Sequence, residues 1–188
     1  RLLKYRRKNR GFLEKRGFKV DYLPVDKEGL VLPDILRQKV TDKTSIVSIM
    51  HANNEVGTIQ DIAALSEIAH RAGAAFHTDA VQTAGKVKID VRALGVDLLS
   101  MSGHKIFGPK GTGVIFIKRA HKITPLSHGG HHEKKRRAGT ENVPGIVGVG
   151  AALELAESMR ESEHHRLAQL ADHFIDEVQK RIPRVYLN

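Results

Sequence analysis

The sequence predicts an α/β protein built on a mainly parallel sheet. Three observations carry that reading. Apolar runs at 44–50, 74–79 and 96–101 have the length and content of strands, the first of them rich in β-branched residues. Segments of helical period lie between or beside them. Each run also ends in polar residues, as expected where an open sheet gathers a ligand beyond the carboxyl ends of its strands.

Taken in order, residues 1–18 hold many helix formers in a ragged apolar pattern and predict a helix. Residues 19–25 read as a short strand, with Pro24 placing it at an edge or an end. Asp26-Lys27-Glu28-Gly29 is a turn, and Pro33 starts a helix to about Val40. The run 44–50 suits a strand buried on both faces. It opens into the polar loop His51-Ala52-Asn53-Asn54-Glu55-Val56-Gly57. Asp61 caps a helix with Ile62, Leu65, Ala69 and Ala72 on one stripe, and Gly73 stops it. A strand ending at Asp79 follows.

Residues 91–95 predict a helical turn, and 96–101 a third buried strand. Residues 112–118 predict a fourth strand, antiparallel to the third, because the loop 103–111 is too short for a parallel crossover. The basic, Gly/His-rich stretch 119–142 is long enough to imply a functional loop. Pro144 introduces a long helical region, with Leu167, Leu170, Ala171, Phe174, Ile175, Val178 and Ile182 on one face. Residues 184–188 read as the opening of a strand.

Composition narrows the function. With 188 residues, 40% hydrophobic and 28% charged, the chain fits a globular domain with a real core. No run is long enough to span a bilayer, and no apolar segment follows the first residues as in a secretory signal. A membrane partner is therefore not expected. There is no cysteine, which excludes disulfides, thiolate metal sites and a cysteine nucleophile within these residues and fits a reducing, cytoplasmic setting. The net charge of +10 invites a nucleic-acid reading. Yet residues 1–19 hold nine Lys/Arg against Glu14, and the other 22 basic and 20 acidic side chains nearly cancel. A solvated terminal helix face explains that end more simply.

The polar strand ends carry the chemistry. Asn53, Asn54 and Glu55 follow one run, Asp79 and Gln82 the next, and Ser102, His104 and Lys105 the third. A lysine just past a strand is a candidate covalent nucleophile. A reactive lysine with a carboxylate at a neighbouring strand end is what pyridoxal 5'-phosphate (PLP) requires: an amine for its aldehyde and an acid for its ring nitrogen. Lys105 and Asp79 supply these, Gln82 can bond the ring hydroxyl, and Ser102 and His104 can bind phosphate. Lys110 is the competing lysine, but Pro109 and Gly111 make it a loop charge. Residues 108–113 lack the ending of a phosphate-binding Walker loop. His128, His131 and His132 lack partners at metal-ligand spacing, so no metal is expected.

Four segments resemble the cysteine desulfurases of the NifS/IscS type, in the class V aminotransferase group. They are Ser-Ile-Met-His-Ala-Asn-Asn-Glu-Val-Gly (48–57), His-Thr-Asp-Ala-Val-Gln (77–82), Ser-Gly-His-Lys-Ile-Phe-Gly-Pro-Lys-Gly (102–111) and Arg-Ala-Gly-Thr-Glu-Asn (137–142). The resemblance runs from about Phe12 to the end. It implies the large domain of an aspartate aminotransferase-like, fold type I PLP enzyme over residues 1–150, and the start of a small domain over 151–188. It implies that Lys105 carries the internal aldimine and moves protons, with His104 beside it, and that Asp79 pairs with the pyridine nitrogen. Gln82 would contact the ring oxygen, Ser102 and His104 the phosphate, and Asn54 the cofactor hydroxyl and substrate. Thr140 would reach the phosphate in the other subunit of a homodimer.

The resemblance also implies an activity. The parent would convert L-cysteine to L-alanine and pass sulfur, as a persulfide on an enzyme cysteine, to an iron–sulfur scaffold or another acceptor protein. Some family features are missing: the ring-stacking histidine, the Gly-Thr phosphate turn, the cysteine loop and the carboxylate-binding arginine. Lys135 stands where relatives often have Gly. The chain thus reads as the central piece of a larger enzyme, and the 188 residues alone are not expected to complete the cycle. The alternatives are another class V enzyme (a selenocysteine lyase, a sulfinate desulfinase or an aminotransferase) and a non-catalytic basic module that binds an acidic partner or nucleic acid.

Overall fold

The alternating pattern folds as one twisted sheet. A computed structural model of the chain describes the backbone of residues 2–4 and all of residues 13–187. Its strands are β1 (Leu2–Lys4), β2 (Val20–Tyr22), β3 (Ile46–Met50), β4 (Ala75–Asp79), β5 (Leu98–Ser102) and β6 (Gly113–Ile117). Their order is β2-β1-β3-β4-β5-β6. Every neighbouring pair is parallel except β5 and β6, which are antiparallel as expected from the short connection. The helices are α1 (Pro33–Lys39), α2 (Ile62–Arg71) and α3 (Val143–Arg181).

The core follows the strand period. Val47 and Ile49, Phe76 and Thr78, and Leu99 and Met101 are buried on one face, in a cluster with Leu36 of α1 and Ile62, Leu65, Ile68 and Ala69 of α2. Asp61 caps α2 as expected, its Oδ1 accepting the Ala64 amide at 3.0 Å. The opposite face departs from the sequence reading. Ser48, His77 and Ser100 are half-buried there, so β3 and β5 bury one face fully rather than both. Composition hid this, because a serine among large apolar neighbours leaves a strand looking wholly apolar.

The ends also differ from expectation. Leu2–Lys4 is not helical but a strand between β2 and β3, in register with Val20–Tyr22 and with Ile46, Val47 and Ser48. Pairing on both sides outweighs a local helical preference that was never strongly periodic. The rest of the expected first helix lies largely outside the described residues. The turn at 91–95 is present, with Asp90 Oδ1 accepting the Arg92 and Ala93 amides at 2.8 and 3.2 Å. Residues 184–187 form no strand, and Arg184 has a left-handed φ of 59°. Helix α3 is a single run of 39 residues. Leu167, Leu170 and Phe174 in its second half, and Ile182 just past its end, are exposed, so that predicted stripe covers no core among the described residues.

Candidate active site

Three parallel strand ends converge. Met50 of β3 pairs with Asp79 of β4, and Asp79 with Ser100 of β5, two residues before Ser102. Adjacent strands lie about 4.8 Å apart, so Asp79 and Ser102 end neighbouring strands at one edge. Asp79 is half-buried, and its Oδ1 accepts the Val81 amide at 3.0 Å, which fixes the direction of the carboxylate. Gln82 is half-buried on the turn that follows.

Beyond Ser102 the chain tightens into a 3₁₀ turn, Gly103–Ile106. It buries Gly103 and Ile106 and leaves His104 and Lys105 exposed. Ser102 Oγ and His104 Nδ1 are 2.7 Å apart, so hydroxyl and imidazole act as one polar unit beside the amine. Phe107, with φ 61°, ends the turn, and the Gly108 amide closes it on the Gly103 carbonyl at 2.9 Å. The geometry separates the two lysines. Lys105 stands on a turn anchored in the core, whereas Lys110 is exposed in the loop beyond it.

A seam of glycines sets that anchor. A Cβ on Gly103 would lie 2.5 Å from Thr112 Oγ1 and 3.0 Å from Val149 Cγ2 of α3. One on Gly148 of α3 would lie 2.6 Å from Pro109 Cγ. The helix therefore rests directly on the lysine turn, with Val149 and Ala152 joining the core beside Ile106. Substituting Gly148 with Val is expected to cost about 1–3 kcal/mol by overpacking and to displace the 108–111 loop. Urea unfolding reads the cost, and amide hydrogen exchange in residues 103–111 reads the displacement.

The sequence reading assigned no role to two histidines here. His51, only 4% exposed, follows β3; its amide donates to the Asp79 carbonyl at 2.9 Å, and its Nδ1 lies 3.0 Å from Thr83 Oγ1. It ties the β3 end to the turn that carries Gln82. Burial holds its imidazole below the usual range. The unfolded chain takes up a proton near pH 6.5, roughly, that the folded chain resists, so stability falls as pH drops through that value. His51→Gln is expected to flatten that slope in urea titrations between pH 7.5 and 5. His77, two residues before Asp79, lies between Ser48 Oγ at 2.8 Å (Nδ1) and Ser100 Oγ at 3.2 Å (Nε2). A signal for both was present: a histidine at or beside a predicted strand end must find polar partners.

The remaining predicted residues sit apart. Asn53 folds the 51–60 loop, its Oδ1 accepting the Glu55 and Val56 amides at 2.8 and 3.1 Å, and Asn54 stands exposed on that loop. Thr140 is exposed on the long loop before α3. Charge is more local than the sequence reading held. Glu133 is the single acid from Leu98 to Thr140, against nine Lys/Arg, so the lysine turn and long loop form a second basic region. No group of three or more His, Cys, Asp or Glu able to hold a metal occurs among the described residues.

Comparison with known proteins places this arrangement. The chain is 56% identical over 177 residues to a cysteine desulfurase IscS of Dictyoglomus turgidum, covering 94% of this chain and 45% of that protein. A solved NifS-like protein superposes with a TM-score of 0.91 at 38% identity, covering 95% of this chain and 51% of that one. A structure described as SspA in complex with cysteine gives 0.78 at 39% identity, covering 81% and 46%. The chain thus spans about half the length of these relatives. Residues 11–188 match the model of the aminotransferase class-V family, and with the fold and the Ser-Gly-His-Lys turn in place the chain belongs to that family.

Proposed function

We propose that the chain carries the cofactor-binding part of a PLP-dependent, cytoplasmic and homodimeric cysteine desulfurase. Residues 1–150 would belong to its large domain and 151–188 would begin the small one; α3 crosses that boundary without a break. The observation that carries the reading is the meeting of Asp79 and the Ser102–Lys105 turn at neighbouring strand ends. The names of the relatives and the cysteine complex of a structural neighbour support the substrate.

The donor set fits the group. Asp79, oriented by the Val81 amide, offers a carboxylate for a protonated ring nitrogen, and Gln82 an amide for the ring hydroxyl. Ser102 and His104 offer a linked pair of donors for phosphate, inside a basic region. Lys105 offers an amine at the exposed tip of the turn. When bound, PLP supplies an electron sink for the pair released at the substrate α-carbon. Lys105 Nζ would hold the cofactor, and its amine would also be placed to take up and return the proton of that carbon. Asn54 would face the cofactor hydroxyl and substrate, and Thr140 a phosphate held in the partner subunit.

The balance of the reaction is simple. The cysteine C–S bond breaks, a thiol acceptor gains the sulfur as an S–S persulfide, and alanine leaves with the thiol proton. The acceptor thiol is not among these residues, which contain no cysteine. From there the sulfur would pass to an iron–sulfur scaffold or another acceptor protein. The test is to incubate the PLP-loaded parent enzyme, which includes these residues, with L-cysteine and a thiol acceptor. Alanine and acceptor persulfide should form in equal amounts, whereas residues 1–188 alone should bind PLP and form neither. Faster turnover of selenocysteine or cysteine sulfinate would reassign the substrate, and bound PLP without alanine formation in the parent enzyme would overturn the activity.

A further inference from the structure

Asp97 stands one residue before β5, at the end of the sheet opposite Lys105, with its side chain only 3% exposed. A carboxylate so placed is costly unless its lone pairs are used. Here Oδ2 accepts the Phe76 amide at 2.8 Å and faces His70 Nε2 at 2.7 Å. Oδ1 faces His121 Nε2 at 3.0 Å and Lys118 Nζ at 3.5 Å. Burial pushes the Asp97 carboxyl up, but the Phe76 amide, the His70 hydrogen bond and the nearby imidazoles together outweigh it and hold the group below the usual carboxylate range. One oxygen thus binds β4 and the end of α2, and the other binds the chain that leaves β6.

That chain is the root of the long loop. The Lys118 amide donates to the Asp97 carbonyl at 2.8 Å, and the His121 amide turns back to the Lys118 carbonyl at 2.9 Å. The far end is fixed separately. Asn142 Oδ1 accepts the Gly145 amide at 3.1 Å and caps α3, and His132 Nδ1 lies 2.8 Å from Glu141 Oε2. Thr140 is presented between two anchors, one built on α3 and one on Asp97.

We propose that Asp97 and His121 are positioning residues that fix the root of the 119–142 loop and thereby set how Thr140 is offered to a phosphate bound in a second copy of the chain. The proposal rests on the dimeric reading above. His121 is the sensitive member, because without it Asp97 keeps the Phe76 amide, His70 and Lys118, so the fold survives. The experiment is amide hydrogen exchange on the PLP-loaded protein. His121→Leu should speed exchange in residues 119–131 at least tenfold while α2 and β4 stay within twofold. His121→Gln, which keeps an N–H donor, should restore the slow rates. The same Leu variant should weaken PLP affinity severalfold. Unaltered loop exchange, or equal acceleration in α2 and β4, would overturn the anchor. Faster loop exchange with unchanged PLP affinity would overturn its link to Thr140. Unchanged PLP affinity in Thr140→Ala would count instead against the dimeric reading.

Discussion

Lys105→Ala is expected to abolish the visible absorption that PLP gains on binding and, in the proposed parent enzyme, to lower turnover about 10⁴-fold or more, beyond what loss of a proton carrier alone produces. On the proposed function two roles would be lost together, covalent attachment of the cofactor and proton transfer at the substrate carbon. Lys110→Ala should keep the band, because Lys110 lies in the loop outside the anchored 3₁₀ turn. A spectrophotometric PLP titration of both variants decides the assignment. If the band survives in Lys105→Ala and vanishes in Lys110→Ala, the site has been built around the wrong amine.

Phe76→Ala should cost about 3–5 kcal/mol, the range for removing a fully buried aromatic side chain. Phe76 is 0% exposed and lies in the central strand β4 within the cluster that includes α1 and α2. Its amide also donates to Asp97, so a shift of the backbone into the cavity would disturb a buried carboxylate as well. Equilibrium urea unfolding measures the loss. A change below about 1 kcal/mol would mean that the layer between sheet and helices is not the core of this chain.

The central elements were legible because local signals and tertiary demands agree there. Asp61 and Gly73 bracket α2, the apolar runs become β3 to β5, and a short connection forces β6 to run antiparallel. Leu2–Lys4 was misread because its pairing partners are remote in sequence. The half-polar face was missed because Ser48 and Ser100 mean nothing until the register brings His77 between them. Lys105, Asp79 and Ser102 could be read from residue type and strand position. Asp97 could not be, since the residues it meets come from α2, β4 and the chain after β6. The glycine seam was equally hidden, because close approach is a property of two surfaces and each glycine alone looks like a turn.

That seam has a mechanical consequence. Helix α3 is about 58 Å long at the usual rise per residue. Among the described residues only its first few turns are pinned, and Gly148 has no Cβ to hold it off the Pro109 ring. The helix is thus a lever with a short arm against the lysine turn and a long arm of about 38 Å beyond Ala156. A tilt of about 5° at the pinned end sweeps the far tip by about 3 Å over that length. Read in reverse, a force that moves the Arg181 end by several ångströms reaches Lys105 as a displacement of a few tenths of an ångström, small in size but applied where the proposed proton transfer would depend on distance.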